Sequence, residues 1–264
     1  DYTFLSGLVQ GDIINIHGYV KASKPIKAAY WWLNLSTKNP KDPKFKVLAT
    51  DPAWILNQPR LSMPTYANLI EEVYTDAGYY PTMSDSFVIG TPHPENPKGY
   101  GWVYLKKPAD VQKSLRDKNG IHIAGPFLFS KFNDTKPFIK ELKPLTPSKQ
   151  NNILYAELVA LKLAIDASAT LHTEDGGGLG ELIYYNPEDI ILDGKTVKEI
   201  ATLASEAMTA RIGDSTNFYN VIHQINNAFD GPIDSVQFAG KTVLKGTNQL
   251  IDVPFLHVDP DILI

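Results

Sequence analysis

Cysteine is absent from all 264 residues. That excludes disulfide staples, thiolate metal sites and thiol catalysis. A chain of this length buries a core without such staples. No apolar run approaches the roughly 20 residues that cross a bilayer as a helix, so no membrane span is expected. An excess of positive charge is also missing: 25 Lys and Arg stand against 29 Asp and Glu, a net charge of −4. Nucleic-acid binders show a basic face, so nucleic acid is not expected as a partner. The composition that remains, 43% hydrophobic and 20% charged, is that of a globular protein.

Motifs that carry chemistry are missing too. The histidines are His17, His93, His122, His172, His223 and His257. None forms HExxH or a close His-x-His pair, so zinc has no local support. Gly240-Lys241-Thr242 resembles the end of a phosphate-binding loop, but the motif needs glycine where this chain has Ser235. Gly213-Asp214-Ser215 reads as a helix start with Asp214 and Ser215 as caps, since a serine nucleophile needs a base in reach. Carboxylates pair at Glu71-Glu72, Glu174-Asp175, Glu188-Asp189 and Asp259/Asp261. Adjacency in sequence says nothing about two carboxylates facing each other across a cleft. Glu174-Asp175 beside three glycines lacks the spacing of a calcium loop. No catalytic residue, metal or cofactor is therefore assigned.

What is present is a long helical pattern over 152–172. Leu154, Leu158, Leu161 and Ile165 form one stripe. Ala156, Val159, Ala160, Leu163 and Ala164 widen it until only Glu157, Lys162 and Asp166 mark an outer edge. Such a helix is expected to be buried on more than one side, as the core of the fold. Thr196-Val-Lys-Glu199 is a capping box opening a helix through about Arg211, with Val197, Ile200, Ala201, Ala204 and Met208 on its apolar face. Ser215 or Thr216 caps another, carrying Phe218, Val221, Ile222, Ile225 and Phe229. Residues 235–246 read as a hairpin turning near Ala239-Gly240.

The first half is more irregular. Residues 12–20 look like a strand, and a helix is expected from Thr65 as N-cap through Tyr74. Short strands are expected near 87–89 and 102–105, a short helix at 108–116, and a strand over 121–129 broken at Gly125-Pro126. The fold class is α+β: a loop-rich, partly β first half and a helical second half around the central helix. One domain over 1–264 is expected, with 1–145 and 146–264 as its subdivision if it divides.

Aromatics concentrate in the irregular half. Trp31, Trp32, Trp54, Tyr79, Tyr80, Tyr100 and Trp102 are candidate ligand-binding residues, because flat side chains offer apolar area with few rotamers to freeze. The competing reading places them in the core. The tail, 252–264, is too apolar for a solvated end and is expected to dock on the core or on a neighbour. Tyr2, Phe4, Leu5, Phe255, Leu256, Ile262 and Leu263 are the candidate self-association residues.

Leu154–Ser168, Gly178–Tyr184, Leu192–Ile200, Ile225–Asp234 and Asp252–Leu256 together look like a module of large secreted bacterial surface proteins of Bacteroidota-like organisms. The similarity covers about residues 152–256 and is poor before 150. That module tends to open with a Gly-Tyr-Trp-Lys-Asn-His block. Tyr30-Trp31-Trp32 and Trp54 match its aromatic part, and the Lys-Asn-His part is missing. The resemblance implies an extracellular or cell-surface setting and a role in surface or adhesive architecture, and it carries over no catalytic residues. Three functions follow as expectations. The first is a non-catalytic structural or adhesive protein, self-assembling through its termini or binding other surface proteins. The second is a glycan-binding module using the loop aromatics on a polysaccharide. The third is a glycoside hydrolase-like enzyme whose carboxylates meet only in space.

Overall fold

The computed structural model describes residues 57–79, 87–130, 136–173, 178–238, 241–246 and 250–258. The expected strand at 12–20, Glu174-Asp175 with Gly176 and Gly177, the turn at Ala239-Gly240 and the Asp259/Asp261 pair lie outside these residues.

The fold is α+β and is organised around one helix. Helix α1 (Gln58–Leu61) leads into α2 (Ala67–Asp76), followed by strands β1 (Phe87–Ile89) and β2 (Gly101–Leu105). Helix α3 (Pro108–Leu115) precedes the short strands β3 (Arg116–Asp117), β4 (Gly120–Ile121) and β5 (Lys140–Leu142). The central helix is α4 (Ile153–Ala169). After it come β6 (Ile183–Tyr184), α5 (Val197–Ala210), α6 (Ser215–Asn227), the hairpin β7 (Ile233–Phe238) and β8 (Lys241–Gly246), and β9 (Leu256–His257). Strands β1 and β2 pair antiparallel, and β5 joins β2 in parallel. The remaining strands form two-stranded ribbons: β3 with β4, β6 with β9, and β7 with β8.

Helix α4 packs against α1, α2, α3, α5 and α6. Twelve of its 17 residues are buried, so its apolar side chains meet protein on every side. Each large aliphatic among them contributes roughly 1.5–3 kcal/mol of burial before entropy is subtracted. The expected outer edge is corrected by the structure. Glu157 is buried, the Lys162 ammonium donates to the Val88 carbonyl at 2.6 Å, and Asp166 accepts from the Tyr79 hydroxyl at 2.7 Å. The helix period marks these positions as polar but does not reveal that β1 and the ends of α2 and α6 cover them.

The local signals explain the flanking helices. Both hydrogen bonds of the Thr196–Glu199 capping box form. The α5 face of Val197, Ile200, Ala201, Ala204 and Met208 is buried, as are Phe218, Val221, Ile222 and Ile225 of α6. One start differs from expectation. Thr65 lies inside a 3₁₀ turn, Pro64–Tyr66, because Pro64 pre-sets the first helical φ and opens a tighter turn before α2. Of the cap candidates for α6, Asp214 is the N-cap, accepting from the Thr216 and Asn217 amides, while Ser215 and Thr216 lie in the first turn. Of the strand expected over 121–129, only Ile121 lies in a strand, as the end of β4, and the stretch from His122 onward runs as a loop along the start of α4. Gly90 sits where a Cβ would lie 2.5 Å from the Thr209 Oγ1. That close approach lets Thr209 on α5 bond both the Thr91 amide and the Gly101 carbonyl, tying the β1–β2 pair to the helix.

Buried side chains from Leu61 to Leu256 belong to one cluster, with Phe138 and Leu145 on one side of the 145/146 point and Leu154 onward on the other. The described part of the tail docks on this core: Val253 and Leu256 are buried, and β9 pairs with β6. No described helix is long and apolar enough to cross a membrane.

Candidate functional site

The structure separates the sequence-predicted residues. Trp31, Trp32, Trp54, Tyr80, Tyr2, Phe4, Leu5, Ile262 and Leu263 lie outside the described residues. Tyr79 is half-buried, with its ring 5.3 Å from those of Tyr74 and Phe87. Tyr100 stacks on His93 at 4.2 Å, so one of its faces is already covered. Trp102 is in the core on β2, and its indole N–H has no hydrogen-bond partner among the described residues. These three aromatics occupy three different surroundings and form no shared platform. Phe255 is half-buried against the Tyr184 ring, and Leu256 is fully committed to the core.

Among the described residues, carboxylates and histidines far apart in sequence meet in space at two clusters, besides the local His93–Glu95 contact at 2.8 Å. At the first, His172 follows α4 and is completely buried. Its Nδ1 faces the Thr242 carbonyl at 2.8 Å and its Nε2 faces the Asp76 carboxylate at 3.0 Å. Both partners can accept a hydrogen bond, so each ring nitrogen faces an oxygen. Glu72, one turn before Asp76 on α2, accepts from the amide and hydroxyl of Thr242. Burial raises the Asp76 carboxyl, but hydrogen bonds from Lys241 and His172 outweigh it and hold it below the ordinary value. The cluster binds the β7–β8 hairpin to α2 and the end of α4.

At the second, the buried Glu157 carboxylate faces His223 Nδ1 at 2.9 Å and accepts from the Asn226 amide at 2.7 Å. Nearly half of the His223 side chain is exposed, and its ring stacks on Tyr219. The bond to Glu157 raises the His223 pKa above its ordinary value. A buried carboxylate orienting a solvent-facing imidazole is the base half of an acid–base pair. Among the described residues, the His223 ring meets Glu157 and Asn227 and no serine or threonine hydroxyl. A third polar group, Lys162, Asp166 and Tyr79, is half-buried. Burial lowers the lysine and raises Asp166 to about 6 against the pull of the Tyr79 hydroxyl and Lys162. No group of three or more metal-ligating side chains occurs among the described residues.

A different kind of site surrounds the first turn of α6. The Asn217 side chain donates to Asp189 at 2.9 Å, and Asp189 also accepts from the Ile191 and Leu192 amides. The Ser215 hydroxyl donates to the Pro126 carbonyl at 3.2 Å. Two loops are thereby pinned to one helix end, and the α5–α6 connection supplies a third. Each presents aliphatic or aromatic side chains to solvent: Ile190 is 91% exposed, Ile212 74% and Ile123 77%, with Ile191 and Phe127 also exposed. The base beneath them is firm. Asn152 caps α4 and bonds both the amide and the carbonyl of Phe127. Asn151 accepts from the Ile123 and Ala124 amides. Isolated exposed isoleucines are ordinary, but these belong to three loops brought to one helix end.

Sequence reading missed this surface. Its one visible signal is the pair Ile190-Ile191 set among acidic residues in a loop bounded by Pro187 and Gly194. No protein-family profile, curated protein or solved structure matches the chain.

Proposed function

We propose that the chain is a non-catalytic structural or adhesive protein of a bacterial exterior, and that it works by docking another surface component. The observation that carries this reading is the gathering of exposed Ile123, Phe127, Ile190, Ile191 and Ile212 around the first turn of α6. Covering a fully exposed isoleucine in an interface contributes about 1.5–3 kcal/mol. Two such anchors on a firm base are enough to centre a binding surface. His122 and His172 support docking over catalysis at their own positions, since both ring nitrogens of each are engaged in ties between elements. The resemblance of residues 152–256 to a module of secreted surface proteins supports the extracellular setting.

Display of the chain on the outside of an otherwise non-adhesive cell tests the reading. Wild-type display is expected to produce adhesion to neighbouring cells or to protein-coated glass. The Ile190→Asp/Ile212→Asp double variant, displayed at equal density, is expected to lose roughly tenfold or more of it. Equal adhesion by the double variant, or none by the wild type, overturns the reading. So does hydrolysis of a polysaccharide by the purified chain.

A further inference from the structure

The apolar side chains beside the first turn of α6 are bordered by carboxylates. Glu188, Asp189, Asp193 and Asp214 lie in the same two loops as Ile190, Ile191 and Ile212. Three of them accept hydrogen bonds, but only from neutral donors. Asp189 bonds backbone amides and Asn217, Asp193 bonds the Asn186 amide, and Asp214 caps α6. These bonds leave the negative charges in place. No ion pair among the described residues reaches any of the four. The cations of the same loops are Lys195 and Arg211, and the Arg211 guanidinium is turned toward the Gly99 carbonyl at 3.2 Å. The surface is therefore aliphatic at its centre and net negative at its border.

Resting on the docking reading above, we propose that this surface binds a cationic amphipathic segment of another protein, with aliphatic side chains over Ile190 and Ile212 and Lys or Arg at the acidic border. Complementary charge at the edge of an apolar contact sets partner choice and speeds encounter. A second copy of this chain fits poorly, because symmetric pairing of the surface sets one acidic border against the other. An uncharged polysaccharide gains nothing from the border.

The test titrates the full chain with two labelled peptides of about 15 residues, read by fluorescence anisotropy at about 50 mM and about 0.5 M salt. One peptide carries Leu and Lys at amphipathic helical spacing. The other has Glu in place of every Lys. The Lys peptide is expected to bind at least about tenfold more tightly than the Glu peptide, with the preference shrinking severalfold at high salt. Glu188→Lys is expected to weaken the Lys peptide severalfold, and Ile190→Ser to weaken both peptides. Both residues are exposed, and circular dichroism checks that the variants fold. Equal affinity for the two peptides, a preference indifferent to salt, or binding of neither overturns the proposal. Dimerisation abolished by Ile190→Ser overturns it as well. Adhesion in the display assay without any preference for the Lys peptide sinks the partner chemistry alone. Preference for the Lys peptide without adhesion sinks the adhesive reading alone.

Discussion

His122 and His223 both serve helix α4, and they treat a proton in opposite ways. His122 is buried at the start of the helix. Its Nε2 faces the Ser114 carbonyl at 2.9 Å, and its Nδ1 accepts from the Asn152 amide at 2.8 Å. One acceptor and one donor fix a single neutral tautomer, so a second proton would break the Asn152 bond. His223 sits on α6 with Nδ1 against a buried carboxylate, the Asn227 amide beside Nε2 and nearly half its side chain exposed. There the carboxylate favours a second proton. Burial alone does not set the protonation of a histidine; the donor or acceptor character of each neighbour does.

The largest effect is expected from removing the partner that makes His223 different. Glu157→Ala leaves the Asn226 side-chain amide with only the Glu157 backbone carbonyl to bond, and opens a void beside α4. A loss of about 4 kcal/mol in unfolding free energy is expected by urea denaturation. A loss under about 1 kcal/mol would show that the carboxylate is not buried against α6.

Acid sharpens the contrast from the His122 side. Burial lowers the His122 pKa to about 4, against the pull of the Ser114 carbonyl. The unfolded chain takes up this proton near pH 6.5, and the folded chain only near 4. The folded form then binds fewer protons across that window, so stability is full above it and falls as the pH falls. The contribution is ~3 kcal/mol between neutral pH and pH 4. His122→Phe is expected to be less stable at neutral pH and to lose this part of the acid slope. Unfolding free energies at several pH values, compared between wild type and variant, measure it.

How much of this was legible in the sequence follows the range of the interactions. The α5 capping box, the stripe of α6 and the β7–β8 hairpin are local, made by residues a few positions apart, and each appears where the sequence placed it. The Glu157 environment is not local: its partner Asn226 is 69 residues away. A polar residue on an apolar helix reads as an outer edge until the helix that covers it is known. The α6 surface failed for a related reason. Isoleucine in a loop reads as a core residue, and only hydrogen bonds from Asn217 and Ser215 reveal that separate loops meet at one helix end. Trp102 was legible as apolar mass, and the structure buries it.

His172 is a third case, and it allows a smaller test. Its Nε2 faces Asp76, which Lys241 also pairs. Asp76→Asn keeps the shape and removes the charge that Lys241 pairs and the His172 ring faces. About 1–2 kcal/mol of stability is expected to go, with faster amide hydrogen exchange confined to the β7–β8 hairpin. Exchange that rises equally throughout α4 would mean that the cluster supports the core rather than the hairpin.

The smallest effect tests the His223 half of the contrast most directly. The hydrogen bond to Glu157 raises the folded pKa of His223, while burial works the other way more weakly. The stabilisation is therefore fully present below the unfolded value near pH 6.5 and is lost as the pH rises through the higher folded value. Nearly half the side chain is exposed, so solvent screening holds the effect to about 0.5 kcal/mol. That is too small for denaturation alone, and the imidazole resonances give the sharper reading. The His223 ring is expected to titrate above pH 6.5 and to return toward its ordinary value in Glu157→Gln, provided that variant folds. His122 in the same spectra is expected to stay neutral down to about pH 4. Two rings titrating together would remove the distinction between a histidine that accepts from the backbone and one that faces a carboxylate.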